Sequence, residues 1–188
     1  MYLIITASPN TDGLTAACGK AAISGITSAG GTAKLIDISA DKLEPCRICG
    51  DGWGICSATH KCVIKDRFPE LQEKFAKAEG IILITPVYFE QPSERMKYFL
   101  DRFRRCESFN KDGSVAKEKH IALVAAAGGS GHGTIPCLTE MEMWCRHVRA
   151  IPVERIGITK FNREPMLGAI TSMASRFVTG EYFKWNLW

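Results

Sequence analysis

The sequence predicts an α/β fold: a doubly wound parallel sheet of five strands with helices on both faces. Two observations carry that expectation. Apolar runs alternate with helical stretches along the whole chain. The central runs IILIT and IALVAAA are apolar throughout, as strands become when helices cover both sides of a sheet. In order, a first strand is expected at Tyr2–Ala7 and a helix at Leu14–Ala29, closed by Gly30 and Gly31, since glycine suits the residue past a helix end. Ala33–Ile38 reads as the second strand. A cysteine-bearing loop follows, then a helix from about Asp66 to Ala78, ended by Gly80, and a third strand at Ile81–Thr85. A helix from Ser93 to Arg105 and a polar turn at Asn110–Ser114 lead to a fourth strand at His120–Ala127. Thr134–Arg149 is helical, Val153–Ile158 is the fifth strand, and a last helix starts near Glu164.

No repeat, linker or low-complexity tract interrupts this alternation, so residues 1–188 read as a single domain with a cysteine-rich loop at about 44–65. With 46% hydrophobic and 23% charged residues the chain can bury a full core. A net charge of +4, without a basic run, suits an anionic ligand and is too mild for a nucleic-acid partner. The start MYLIITASPN lacks the charged leader of a signal peptide, and no segment approaches the roughly 20 apolar residues of a membrane helix. A cytoplasmic location is therefore expected. The eight cysteines then read as thiols or metal ligands before disulfides.

In doubly wound sheets ligands bind beyond the carboxyl ends of the strands. That brings together the loops Ser8–Thr15, Pro86–Pro92 and Gly128–Gly133, with the cysteine loop beside them. In SPNTDGLT, hydroxyls, amides and the start of a helix suit a phosphate, because free N–H groups and the positive helix end stabilise an anion. The same residue types also serve as ordinary helix caps. The turn TPVYFEQPS presents aromatic rings and backbone N–H groups that match a flat heteroaromatic ligand, or that pack under a neighbouring loop. The run GGSGHGT permits close backbone approach, and its His132 reads as a solvated loop residue or a contact to such a ligand.

Cys46, Cys49, Cys56 and Cys62 follow the spacing C-x2-C-x6-C-x5-C. Local clusters of cysteine are the usual sign of an iron–sulfur cluster. A structural zinc site also uses four thiolates, and a loop of unligated thiols is the plain alternative. Arg47, His60, Lys61 and Lys65 would offset the charge of bound thiolates, and Gly50, Gly52 and Gly54 would let the loop fold back. Trp53 reads equally as a shield and as a packing anchor. Cys18, Cys106, Cys137 and Cys145 lie in expected helices and read as core or surface thiols.

SPNTDGLT, TPVYFEQPSERMKYFLDR and the glycine loop together resemble the NADPH-dependent FMN reductase family of flavodoxin-like proteins, over roughly Tyr2 to Gly133. The cysteine loop resembles that of its iron–sulfur flavoprotein branch, with a middle spacing four residues longer than the compact C-x2-C-x2-C-x5-C. The resemblance implies a strand order of 2-1-3-4-5. It implies FMN, its phosphate held by Ser8, Asn10, Gly13, Leu14 and Thr15 and its ring by Pro86, Val87, Tyr88 and Phe89, with Gly128 and Gly129 on the far side. It also implies a 4Fe-4S cluster on Cys46, Cys49, Cys56 and Cys62. Where the family commonly has a small residue after the aromatic pair, often glycine, this chain has Glu90.

The function so implied is an oxidoreductase or electron carrier, moving electrons among a reduced donor such as NAD(P)H, FMN and the cluster. An FMN or quinone reductase without a cluster, and a zinc-stabilised binding domain, are the alternatives. No nucleophile–base constellation is found, and the four histidines are scattered, so the chemistry falls to the cofactor and not to a catalytic side chain. Donor and acceptor are small molecules or proteins. The tail EYFKWNLW, rich in aromatic residues, is expected at a subunit interface, and similar flavoproteins suggest a homodimer or homotetramer.

Overall fold

Alternate residues of each buried strand point to opposite sides of the sheet, and this divides the core in two. The protein, seen here as a computed structural model, is described over residues 1–40, 43–110 and 113–181. In chain order its elements are β1 (Tyr2–Thr6), α1 (Leu14–Ser28), β2 (Ala33–Asp37), α2 (Cys56–Thr59), α3 (Phe68–Lys77), β3 (Gly80–Tyr88), β4 (Gln91–Pro92), α4 (Glu94–Glu107), β5 (His120–Ala127), α5 (Thr134–Val148), β6 (Ile151–Thr159) and α6 (Arg163–Thr179).

One register row runs through Leu3, Ile81 and Ile121, and the next through Ile4, Ile82 and Ala122. The first row faces α3, α4 and α5, where Phe68, Phe75, Phe99, Phe103 and Trp144 pack. The second faces α1 and α6 and packs on Cys18, Ile26, Ile170 and Phe177. Helices on both sides explain why the central strands β1, β3 and β5 carry no polar face.

The strand count corrects the expectation of five strands in the order 2-1-3-4-5. The sheet has six, ordered β2-β1-β3-β5-β6, and the two-residue β4 pairs antiparallel with β3. The fourth and fifth expected strands are β5 and β6. The extra strand arises because β3 continues past Thr85 to Tyr88 and turns back at once. Likewise β6 begins at Ile151, two residues before its expected start. Pro152 lies within it, which an edge strand tolerates because one side of its backbone needs no partner. The C-terminal aromatic tail from residue 182 lies outside the described residues. Among the described residues no helix is long and apolar enough to cross a membrane.

Candidate functional site

β1, β3 and β5 are neighbours, so the loops that leave their carboxyl ends meet. Ser8, Asn10, Gly13, Leu14 and Thr15 form the turn from β1 into α1. Its side chains bond within the turn: Asn10 N–H donates to Ser8 Oγ at 3.2 Å and Asp12 N–H to Asn10 Oδ1 at 3.2 Å. The N-cap residue is Gly13, in extended backbone, and it offers no side-chain cap. The first turn of α1 thus keeps donors that an anion can accept from.

This turn is fastened on both flanks. The Ser39 hydroxyl donates to the Ser8 carbonyl at 2.6 Å. On the other side, the buried Ser93 hydroxyl donates to the Ala7 carbonyl at 2.9 Å, and the Ser93 N–H donates to Thr85 Oγ1 at 3.0 Å. Ser93 therefore ties the ends of β1 and β3 to the start of α4.

Pro86, Val87 and Tyr88 end β3, and Phe89 follows them. Val87 pairs with Pro92 and Tyr88 with Gln91, so Phe89 and Glu90 alone make the turn. Both have positive φ, 48° and 67°, as the type I′ two-residue hairpin turn requires. This explains why glycine suits the position of Glu90. The Phe89 ring is fully exposed, and the Glu90 side chain faces solvent. Gly128 and Gly129 open the loop after β5 and have nothing within 4 Å of an added Cβ. At the end of that loop, a Cβ on Gly133 would lie 2.9 Å from Glu90 Cα, so the third loop backs onto the hairpin. His132 is exposed.

Beside the hairpin an open groove of about 530 Å³ runs to the cysteine loop, lined by Cys46, Ile48, Tyr88, Phe89, Tyr98 and Arg105 among others. The four expected cysteines meet next to it. Cys46, Cys49, Cys56 and Cys62 line one hollow together with Arg102, Arg105 and Cys106. Between Cys49 and Cys56, Gly50, Gly52 and Gly54 all have positive φ, and the chain folds back as their spacing suggests. The hollow is about 10 Å³, room for about one water. Among the described residues no three His, Cys, Asp or Glu side chains gather around a single metal ion, as a tetrahedral zinc site with Zn–S bonds of about 2.3 Å requires.

The loop is pinned at both ends. Arg102 forks onto Asp66 with bonds of 2.5 and 2.9 Å and donates to the Glu44 carbonyl, while Glu44 N–H donates to Asp66 Oδ2. Burial alone would raise the Asp66 carboxyl. Bonds from Arg102 and from the N–H groups of Glu44 and Phe68 outweigh it and hold the group below its ordinary range. Trp53 stacks edge-on against Phe109, ring centres 5.0 Å apart, and lies over the Arg105 guanidinium; it anchors the loop to the end of α4.

The thiols sense each other. Burial raises Cys56, the Arg105 charge opposes that, and Cys49, Cys62 and Cys46 add to the rise. Burial likewise raises Cys106, with Cys56 and Cys62 contributing. Donor set and charge thus fit a thiolate-held anionic group: four soft ligands beside buried guanidinium N–H groups, of which Arg105 Nε and Nη2 and Arg102 Nε have no hydrogen-bond partner.

Nothing in the sequence singles out Arg102 or Arg105, and Cys106 is expected only as a core or surface thiol. Their signal is helical spacing: Arg105 and Cys106 follow Arg102 by three and four residues on α4, and Arg102 and Cys106 are buried on that helix with Phe99 and Phe103. Cys18, Cys137 and Cys145 are free and buried, and burial pushes each thiol up to about 12.

A flavodoxin-like sheet with a phosphate-ready turn, an aromatic hairpin and a thiol-lined hollow defines a flavoprotein-type scaffold. The chain belongs to the NADPH-dependent FMN reductase family, whose sequence model matches residues 2–162. It is 34% identical over 100 residues to an iron–sulfur flavoprotein of Methanocaldococcus jannaschii, covering 53% of this chain and 50% of that one. It is 31% identical over 96 residues to an iron–sulfur flavoprotein of Methanosarcina thermophila, covering 51% and 46%. The chain thus spans about half the length of the curated relatives it matches. Among solved structures, the fold superposes on an NAD(P)H:quinone oxidoreductase of Methanothermobacter marburgensis with a TM-score of 0.68 at 14% identity, covering 93% of this chain and 95% of that one. It superposes on a flavone reductase with a TM-score of 0.74 at 13% identity, covering 96% and 62%. These last two show the fold alone.

Proposed function

We propose that the chain is an FMN-dependent oxidoreductase that passes electrons from a reduced donor, NAD(P)H being one, by way of FMN to an iron–sulfur cluster of the 4Fe-4S type on Cys46, Cys49, Cys56 and Cys62. The observation that carries this reading is a shared wall. Cys46 and Arg105 line both the groove at the aromatic hairpin and the thiol hollow behind it, so groups held at the two places would be close neighbours.

Ser8, Asn10, Gly13, Leu14 and Thr15 would hold the FMN phosphate at the uncapped start of α1. Pro86, Val87, Tyr88 and Phe89 would hold the ring, with Gly128 and Gly129 open on its other side. Bound FMN would supply the redox chemistry; the chain's share is to bind it, exclude competing reactions and set its electronics. The names of the two archaeal relatives support the cluster, as do the converging thiols and their guanidinium neighbours. We further propose cytoplasmic location, assembly as a homodimer or homotetramer, and a small molecule such as a quinone, or a protein, as final acceptor.

The test is an absorption spectrum of anaerobically purified protein, with flavin, iron and sulfide assayed on the same sample. Flavin bands with broad sulfur-to-iron absorption and about one flavin per cluster are expected. Flavin without iron would leave an FMN or quinone reductase and remove the cluster from the reading.

A further inference from the structure

Arg105 carries a charge that no described residue neutralises. Its Nε and Nη2 are buried and neither has a hydrogen-bond partner. The contrast lies one helical turn away, where Arg102 forks onto Asp66. The Trp53 ring covers Arg105 at 5.2 Å from its centre, which favours the cation but accepts none of its in-plane N–H bonds. Two buried N–H groups without acceptors are unfavourable, because their water is lost and nothing replaces it. Sulfurs lie beside it: Arg105 lines the same hollow as Cys46, Cys49, Cys56 and Cys62.

We infer that Arg105 is a positioning residue for the group those four cysteines hold, donating its buried N–H groups to the sulfurs and offsetting their negative charge. This rests on the iron–sulfur reading proposed above. A one-electron reduction adds one negative charge to that group, and a fixed cation beside it favours the added charge. Arg105 therefore raises the reduction potential as well as securing the assembly. A role in packing alone, through contact of its stem with Trp53, predicts neither effect.

The experiment compares wild type, Arg105→Lys, Arg105→Gln and Arg105→Met after anaerobic reconstitution with iron and sulfide. Circular dichroism checks the fold, iron and sulfide are counted, and an EPR-monitored titration with dithionite as electron donor gives the potential. Wild type and Arg105→Lys are expected to hold equal iron. In Arg105→Met and Arg105→Gln the equilibrium constant for reduction should fall about tenfold, which is 59 mV for a one-electron couple, with Arg105→Lys nearer to wild type. Folded Met and Gln variants that lose iron while Lys retains it would equally support the assignment. If Arg105→Met does not fold, Arg105→Gln and Arg105→Lys still decide it. Either neutral variant, folded and iron-loaded at an unchanged potential, overturns the inference and leaves Arg105 a packing residue. Wild type that takes up no iron instead overturns the cluster reading, and this inference with it.

Discussion

Gly54 lies so close to Cys49 that a Cβ added to it would come within 2.6 Å of the cysteine sulfur. With φ of 57°, Gly54 also occupies backbone space that other residues enter at a cost of about 1 kcal/mol or more. Gly54→Ala should therefore displace Cys49 without disturbing the sheet. The expected result is an unchanged far-ultraviolet circular dichroism spectrum with iron uptake on reconstitution at least halved. Full iron uptake would show that Cys49 does not need its present position.

Five cysteines line the hollow, four from the cysteine loop and one, Cys106, from α4. Cys49→Ser should abolish iron binding, whereas Cys106→Ala should retain it, because Cys106 is a fully buried member of the core on α4. Its loss should instead lower stability by about 1 kcal/mol, the order expected for a small buried apolar group. Iron analysis beside urea unfolding separates the two roles, and iron loss in the Cys106 variant would add it to the ligand set.

The Asp66–Arg102 pair should make the cysteine loop sensitive to acid. Because the folded-state carboxyl titrates below its ordinary value, its stabilisation is fully present above the unfolded value near ~4. It is lost as pH falls through the lower folded value. Asp66→Asn should remove that acid-dependent part and lower stability by about 3 kcal/mol at neutral pH, since it leaves a buried guanidinium without its counter-charge. Unfolding midpoints measured from about pH 6 down to about pH 2, a range that brackets this loss, would check both statements. Equal pH dependence in the two proteins would contradict the first.

The hairpin turn offers a stabilising change. Glu90 sits at φ of 67° in solvent, so Glu90→Gly relieves left-handed strain and should stabilise by about 0.5–1 kcal/mol after the entropy of glycine is counted. A rise in the thermal midpoint is the measurement. A fall would mean that the Glu90 side chain makes a contact worth more than the strain.

The alternating order and the central strands were legible because burial on both faces leaves an uninterrupted apolar signature. Other features were not. Tyr88–Gln91 contains no Asn-Gly or Asp-Gly pair, so nothing local announced a two-residue turn, and β4 went unseen. The helix α2 is a single turn within the cysteine loop, too short for a period to show. The cysteines themselves were legible by spacing, and the turns after the first, third and fourth expected strands by composition. Arg102, Arg105 and Cys106 were not, because only tertiary packing brings α4 against a loop some 40 to 60 residues earlier in the chain. Ser93 is legible as the start of a helix; its second role, joining β1 to β3, depends on sheet order that one segment does not contain.

Arg102 and Asp66 also bear on how this loop can change. They clamp its entrance at Glu44 to its exit, so whatever is inserted between leaves the sheet at the same two points. Loop length then becomes a free variable of the scaffold: residues can be gained or lost between the second and third cysteines while α3, α4 and the strand ends stay put. The four extra positions of this chain, relative to the compact spacing, fall inside that closed stem. A graft of a shorter or longer cysteine segment between Glu44 and Asp66 would inherit its mounting ready-made.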